Sequence, residues 1–63
     1  MKEFDRIYTK VINYAMQHGH KPTKLYISMD RYLTYSYEIR SKIKNIGLDV
    51  IGEIKPNILK VGE

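Results

Sequence analysis

A chain of 63 residues without cysteine is long enough for one domain and too short for two, and it offers neither a disulfide nor a thiolate metal site. A hydrophobic content of 43%, with charges spaced between the apolar residues, argues for a folded core and against disorder. The net charge of +4 arises between Lys21 and Lys44 with no long block of like charges, which leans mildly towards an acidic partner and is not by itself a nucleic-acid signature.

The chain reads as a single α+β domain with two helices packed on one face of a small three-stranded sheet, in the order α-β-α-β-β. Phe4, Ile7, Tyr8, Val11, Ile12, Tyr14 and Ala15 recur at helical spacing, opposite Lys2, Arg6, Thr9, Asn13 and Gln17. Glu3 and Asp5 suit the positive end of a helix dipole, and Gly19 suits a left-handed stop. These signals predict a first helix over Lys2–His18. Pro22 bars its continuation, and Leu25-Tyr26-Ile27-Ser28 is a short β-forming run. A second helix is expected from Met29 or Asp30 to Asn45, capped by Ser28 or Asp30. Its apolar face combines Tyr32, Tyr35, Ser36, Ile39 and Ile43, and Gly47 stops it. Its aromatic and β-branched residues lower helix propensity, so packing must support it. Leu48–Ile54 alternates as a strand parallel to the first. Pro56 then makes a turn, and Ile58–Val61 is expected to close a hairpin.

No residue pattern predicts catalysis. His18 and His20 form an H-x-H pair, but no further ligand stands at a recognisable spacing, so neither a metal nor another cofactor is expected. His18 at the end of a helix is explained as well by bonding to the terminal carbonyls. No carboxylate pair shares an apolar setting, no serine sits in a nucleophile motif, and the four glycines are scattered.

Six tyrosines are the compositional oddity. Tyr8, Tyr14, Tyr32 and Tyr35 fall on the expected core faces, where a ring is buried and its hydroxyl kept at the rim. Tyr37 does not. Together with Leu33, Arg40 and Lys44 it forms a candidate partner-binding surface, because Tyr and Arg are common interface anchors. The alternative is a nucleic-acid surface of Lys21, Lys24, Tyr37, Arg40, Lys42 and Lys44, with bases stacked on the ring and cations tracking phosphates. A solvent-tolerant tyrosine with no specific role is the third reading.

The segment from Lys21-Pro22-Thr23-Lys24-Leu25-Tyr26-Ile27-Ser28 through Met29-Asp30-Arg31-Tyr32-Leu33 to Gly47-Leu48-Asp49-Val50-Ile51 resembles small proteins of tailed phages and prophages. It is also similar to a βαββ segment of phage major capsid proteins, although this chain is far too short for a capsid subunit. The resemblance spans about Lys21 to Val61 and implies a phage or mobile-element accessory protein, with no functional residue to carry over.

The function expected is thus a small non-catalytic protein-interaction module. It binds a protein partner or itself, because so short a chain buries only ~60% of its surface and the sheet leaves edges and a face open. No apolar run nears the ~20 residues of a membrane span, and the charged start from Lys2 to Arg6 is unlike a signal peptide. The expected location is the cytoplasm, that of the host for a phage-encoded chain.

Overall fold

The computed structural model describes residues 2–63. Helix α1 spans Lys2–His18, with Glu3 and Asp5 in its first turn and His18 in its last. It stops where Gly19 takes φ +77° and donates its N–H to the Ala15 carbonyl at 2.8 Å, a conformation that glycine adopts without a side-chain clash. Ile7 and Val11 are the buried residues of its apolar face.

Strand β1 (Lys24–Ser28) is the centre of the sheet. Strand β2 (Asp49–Glu53) lies parallel on one side, with Leu25 opposite Val50, and β3 (Leu59–Gly62) antiparallel on the other, with Leu25 opposite Val61. Leu25 and Ile27 are completely buried and join Ile7, Val11, Tyr35, Ile43 and Leu48 in one core. A strand paired on both sides satisfies all its backbone groups inside the protein, which is what permits so apolar a segment at the centre.

The class and element order are those expected, and two details differ. The expected second helix is two helices, α2 (Met29–Leu33) and α3 (Tyr37–Asn45). The break follows from side chains that compete for the backbone. The Thr34 hydroxyl donates to the Arg31 carbonyl at 2.6 Å, and Ser36, in an extended conformation, accepts from the Ile39 N–H at 3.3 Å as the cap of α3. Between them Tyr35 turns into the core.

The second difference is that β3 does not form a hairpin with β2 but crosses to the far side of β1. Ser28 directs that crossing. Its hydroxyl donates to the Lys55 carbonyl and accepts from the Ile58 N–H, each at 2.7 Å, which clamps the turn at Pro56 and Asn57 onto the end of β1. Ser28 therefore makes no capping bond to α2, contrary to the expected role. The start of α2 is instead seated over β2, where the Met29 methyl fills the space that a side chain at Gly52 would need.

One polar cluster joins α1 to the break. The Tyr35 hydroxyl donates to Glu3 Oε2 at 2.9 Å, and Arg31 approaches the same carboxylate at 3.3 Å. The Tyr35 bond, and then Arg31, hold the Glu3 carboxyl below the usual range. Burial, and then Glu3, push the Tyr35 hydroxyl up to about 12.

Two outcomes follow from this packing. Ile43 is fully buried whereas Ile39 is only partly so. Ile43→Ala is therefore expected to cost ~2–4 kcal/mol and Ile39→Ala clearly less, measured by urea unfolding. Equal losses would contradict the placement of α3. The second outcome concerns pH. A lowered carboxyl stabilises the fold above the ordinary carboxylate range and loses that contribution as pH falls through its own pKa. A raised phenol stabilises it below ~10, and the contribution is lost as pH climbs towards 12. Tyr35→Phe should flatten the alkaline limb and Glu3→Gln the acid limb of stability against pH; limbs unchanged from the parent would rule out the cluster.

Candidate interaction surfaces

Among the described residues, eight large hydrophobic side chains are exposed against seven buried. That balance directs attention to where the exposed ones gather. Two places stand out: the corner between α2 and α3, and one flank of α1.

Leu33 closes α2 at 63% exposure and Tyr37 opens α3 at 86%, so both flank the break with their apolar bodies in solvent. Arg40 fixes the corner from within. One of its terminal nitrogens donates to the Tyr32 and Leu33 carbonyls at 3.3 and 3.2 Å, and the guanidinium lies 4.9 Å from the Tyr32 ring centroid. Its Nε is buried without a partner. The guanidinium thus neutralises the carbonyl end of α2, as a cation at a helix C-terminus does. The sequence pattern places Arg40 beside Tyr37 as a binding group and does not reveal this role, because it does not show the helix break that brings the Tyr32 and Leu33 carbonyls within reach. Lys44 is exposed and stands two turns along α3 from Tyr37, on the same side.

The six residues of the nucleic-acid alternative do not all face one way. Lys42 lies over the Phe4 ring at 5.5 Å, on a side of α3 away from Lys44. Lys24 is half-buried in β1 opposite Asp49, and Lys21 lines a groove against α1. Arg40 is turned to the Tyr32 and Leu33 carbonyls, Tyr37 and Lys44 share a side of α3, and Lys21 stands by the end of that helix with Asn45 and Ile46.

The groove was not foreseen. It encloses about 280 Å³ between Tyr8, Ile12 and Ala15 of α1, Lys21 of the connector, and Asn45 and Ile46 at the end of α3. Tyr8 and Ile12 were assigned to the core, yet each is more than two-fifths exposed, and Met16 continues their line at 80%. The spacing of 8, 12 and 16 was the available signal: it makes the apolar face of α1 wider than one small sheet can cover.

His18 closes α1 and His20 lies in the connector that follows it. Tyr14 stacks on His18 at 4.1 Å, and His20 Nε2 meets Glu63 Oε1 at 3.1 Å. Burial, and then the Glu63 carboxylate, raise the Tyr14 hydroxyl above its ordinary value. Among the described residues no group of three His, Cys, Asp or Glu is placed to hold a metal ion. Nor is any described helix long and apolar enough to cross a membrane. Comparison with protein-family models, curated proteins and solved structures finds no match to this chain.

Arg40→Ala removes both carbonyl bonds and the cation over Tyr32. It is expected to destabilise the fold by ~1–3 kcal/mol. The amides of residues 33–37 should then exchange faster with solvent than those of β1. A loss of protection spread evenly over the chain would contradict a local role for Arg40.

Proposed function

We propose that this chain is a small non-catalytic protein-interaction module that presents the α2–α3 corner to a partner. The observation that carries the reading is the pair Leu33 and Tyr37: two large apolar side chains left in solvent on a segment whose backbone is tied down by Thr34, Ser36 and Arg40. A hydrophobic anchor on a rigid support loses little freedom on binding, and Tyr adds a polar tip. Lys44 on the same side of α3 as Tyr37 favours a partner surface with an apolar pocket and an acidic rim. The resemblance of Lys21–Val61 to phage and prophage proteins supports an accessory role of that origin, working in the cytoplasm.

Nucleic-acid binding is the second reading, and the specific feature in its favour is Tyr37 beside Lys44 in a chain of net charge +4. Salt separates the two. Counterion release makes a nucleic-acid complex strongly salt-dependent and strongest in dilute salt. The expected result is no retardation of single- or double-stranded DNA at ~50 mM salt, where non-specific affinity is greatest. In a pull-down from the native host, the parent chain is expected to retain a partner that Leu33→Ser and Tyr37→Ser lose. Both variants should melt within a few degrees of the parent, since surface changes rarely exceed ~0.5 kcal/mol. Retention by both variants would overturn the corner as the docking site.

A further inference from the structure

The flank of α1 is a separate surface from the corner, and it carries a feature the corner lacks: it is complementary to itself. Tyr8, Ile12 and Met16 form a line of exposed apolar side chains along one side of the helix. Beside Tyr8 and Ile12 runs the groove of about 280 Å³, while Met16 stands beyond it at 80% exposure. A methionine chain is flexible and suited to filling an irregular apolar recess. A protruding knob and a recess, offset along one helix, fit each other when a second helix runs antiparallel.

Charge selects the same orientation. Asp5 lies on this flank, seven residues before Ile12, and Lys21 lines the groove near the opposite end of the helix. Neither has an ion-pair partner among the described residues, whereas Glu3 is taken by Arg31 and Arg6. An antiparallel helix crossing at Ile12 sets Met16 against the partner's Tyr8 and turns Asp5 towards the partner's Lys21. Two-fold symmetry then makes every contact twice. A parallel arrangement would instead bring like charges together at each end.

We infer that two copies of this chain associate through the α1 flank as an antiparallel pair, each Met16 entering the other copy's groove and each Asp5 facing the other's Lys21. The open face of the sheet is the poorer candidate. There Tyr26 is covered by Lys60 at 5.4 Å, its hydroxyl is spent on the Glu63 carbonyl, and charged Asp49 and Glu53 flank Ile51. Such charges are a usual guard against pairing. One helix flank buries less than the ~800 Å² per partner of a standard interface, so the pair belongs among weak complexes. Half-association on the order of 100 µM is expected, as suits a weak, transient contact.

The test is sedimentation equilibrium of the full chain from ~10 µM to ~1 mM in moderate salt, a range that brackets the expected midpoint. The parent should pass from monomer to dimer. Met16→Glu should remain monomeric throughout, with an unchanged melting profile because the residue is exposed. Asp5→Lys and Lys21→Glu should each weaken the dimer roughly ten-fold, since every reversal acts at two symmetric contacts. The double variant should return to within about three-fold of the parent, as expected where the two charges couple directly. A parent that stays at 7.5 kDa to the highest concentration overturns the inference and leaves the corner untouched. A dimer that survives Met16→Glu, or that is lost in Ile51→Lys, overturns it as well, the latter by assigning association to the sheet. A double variant no better than either single one overturns the antiparallel pairing.

Discussion

The fold turns on Tyr35. Its ring reaches the core from the break between α2 and α3, and its hydroxyl must find a polar partner once it is there. Glu3 supplies that partner from the first turn of α1, and Arg31 balances the carboxylate. A buried hydroxyl without an acceptor is costly, so this bond, with Arg31, ties the first turn of α1 to the end of α2. The helix breaks on either side of Tyr35, where the Thr34 and Ser36 hydroxyls take backbone partners. The α-helix ends at Leu33, and Arg40 turns back to the Tyr32 and Leu33 carbonyls at that end. Exposure of Leu33 and Tyr37 is a product of the same event. A buried tyrosine thereby shapes the surface with which the protein is proposed to act.

The parts of this architecture that depend on local pattern were legible in the sequence. The 3.6-residue spacing from Phe4 to Ala15, the glycine after it and the β-forming run at Leu25 each act within a few residues, and α1 and β1 lie where they indicate. The parallel relation of β1 and β2 follows from the helical crossover that connects them. What escaped was decided at long range. Ser28 could be read as a helix cap because serine often is one; only the approach of residues 55 and 58 from a distant part of the chain gives its hydroxyl better partners. β3 was paired with β2 because neighbours in sequence usually pair, and the Ser28 clamp overrides that tendency. Weak helix propensity around Tyr32–Tyr37 was noticed but read as a need for packing, when the competing hydroxyls of Thr34 and Ser36 made it a break.

The candidate surfaces show the same division. Tyr37 was singled out because it does not fit the helix face, and it is indeed exposed. Arg40 was grouped with it by spacing alone, a criterion blind to the carbonyls within its reach. The α1 flank was overlooked for the opposite reason: Tyr8 and Ile12 matched a core-facing pattern so well that no surface was sought there. Periodicity shows which side of a helix is apolar. It does not show how much of that side the rest of a very small domain is able to cover.

Ser28 and β1 have one more consequence, which concerns time rather than shape. β1 is made early in the chain, yet one of its two neighbours is β3, and the tie between Tyr26 and Glu63 spans 37 positions. A chain that has formed α1, β1, the paired helices and β2 but has not yet docked β3 leaves β1 with a bare edge beside Leu25 and Ile27. Pairing across such a separation is slow compared with forming a helix. Until β3 docks, the folding chain is a sheet with an open side, and that interval is when it is most exposed to joining another strand in place of its own.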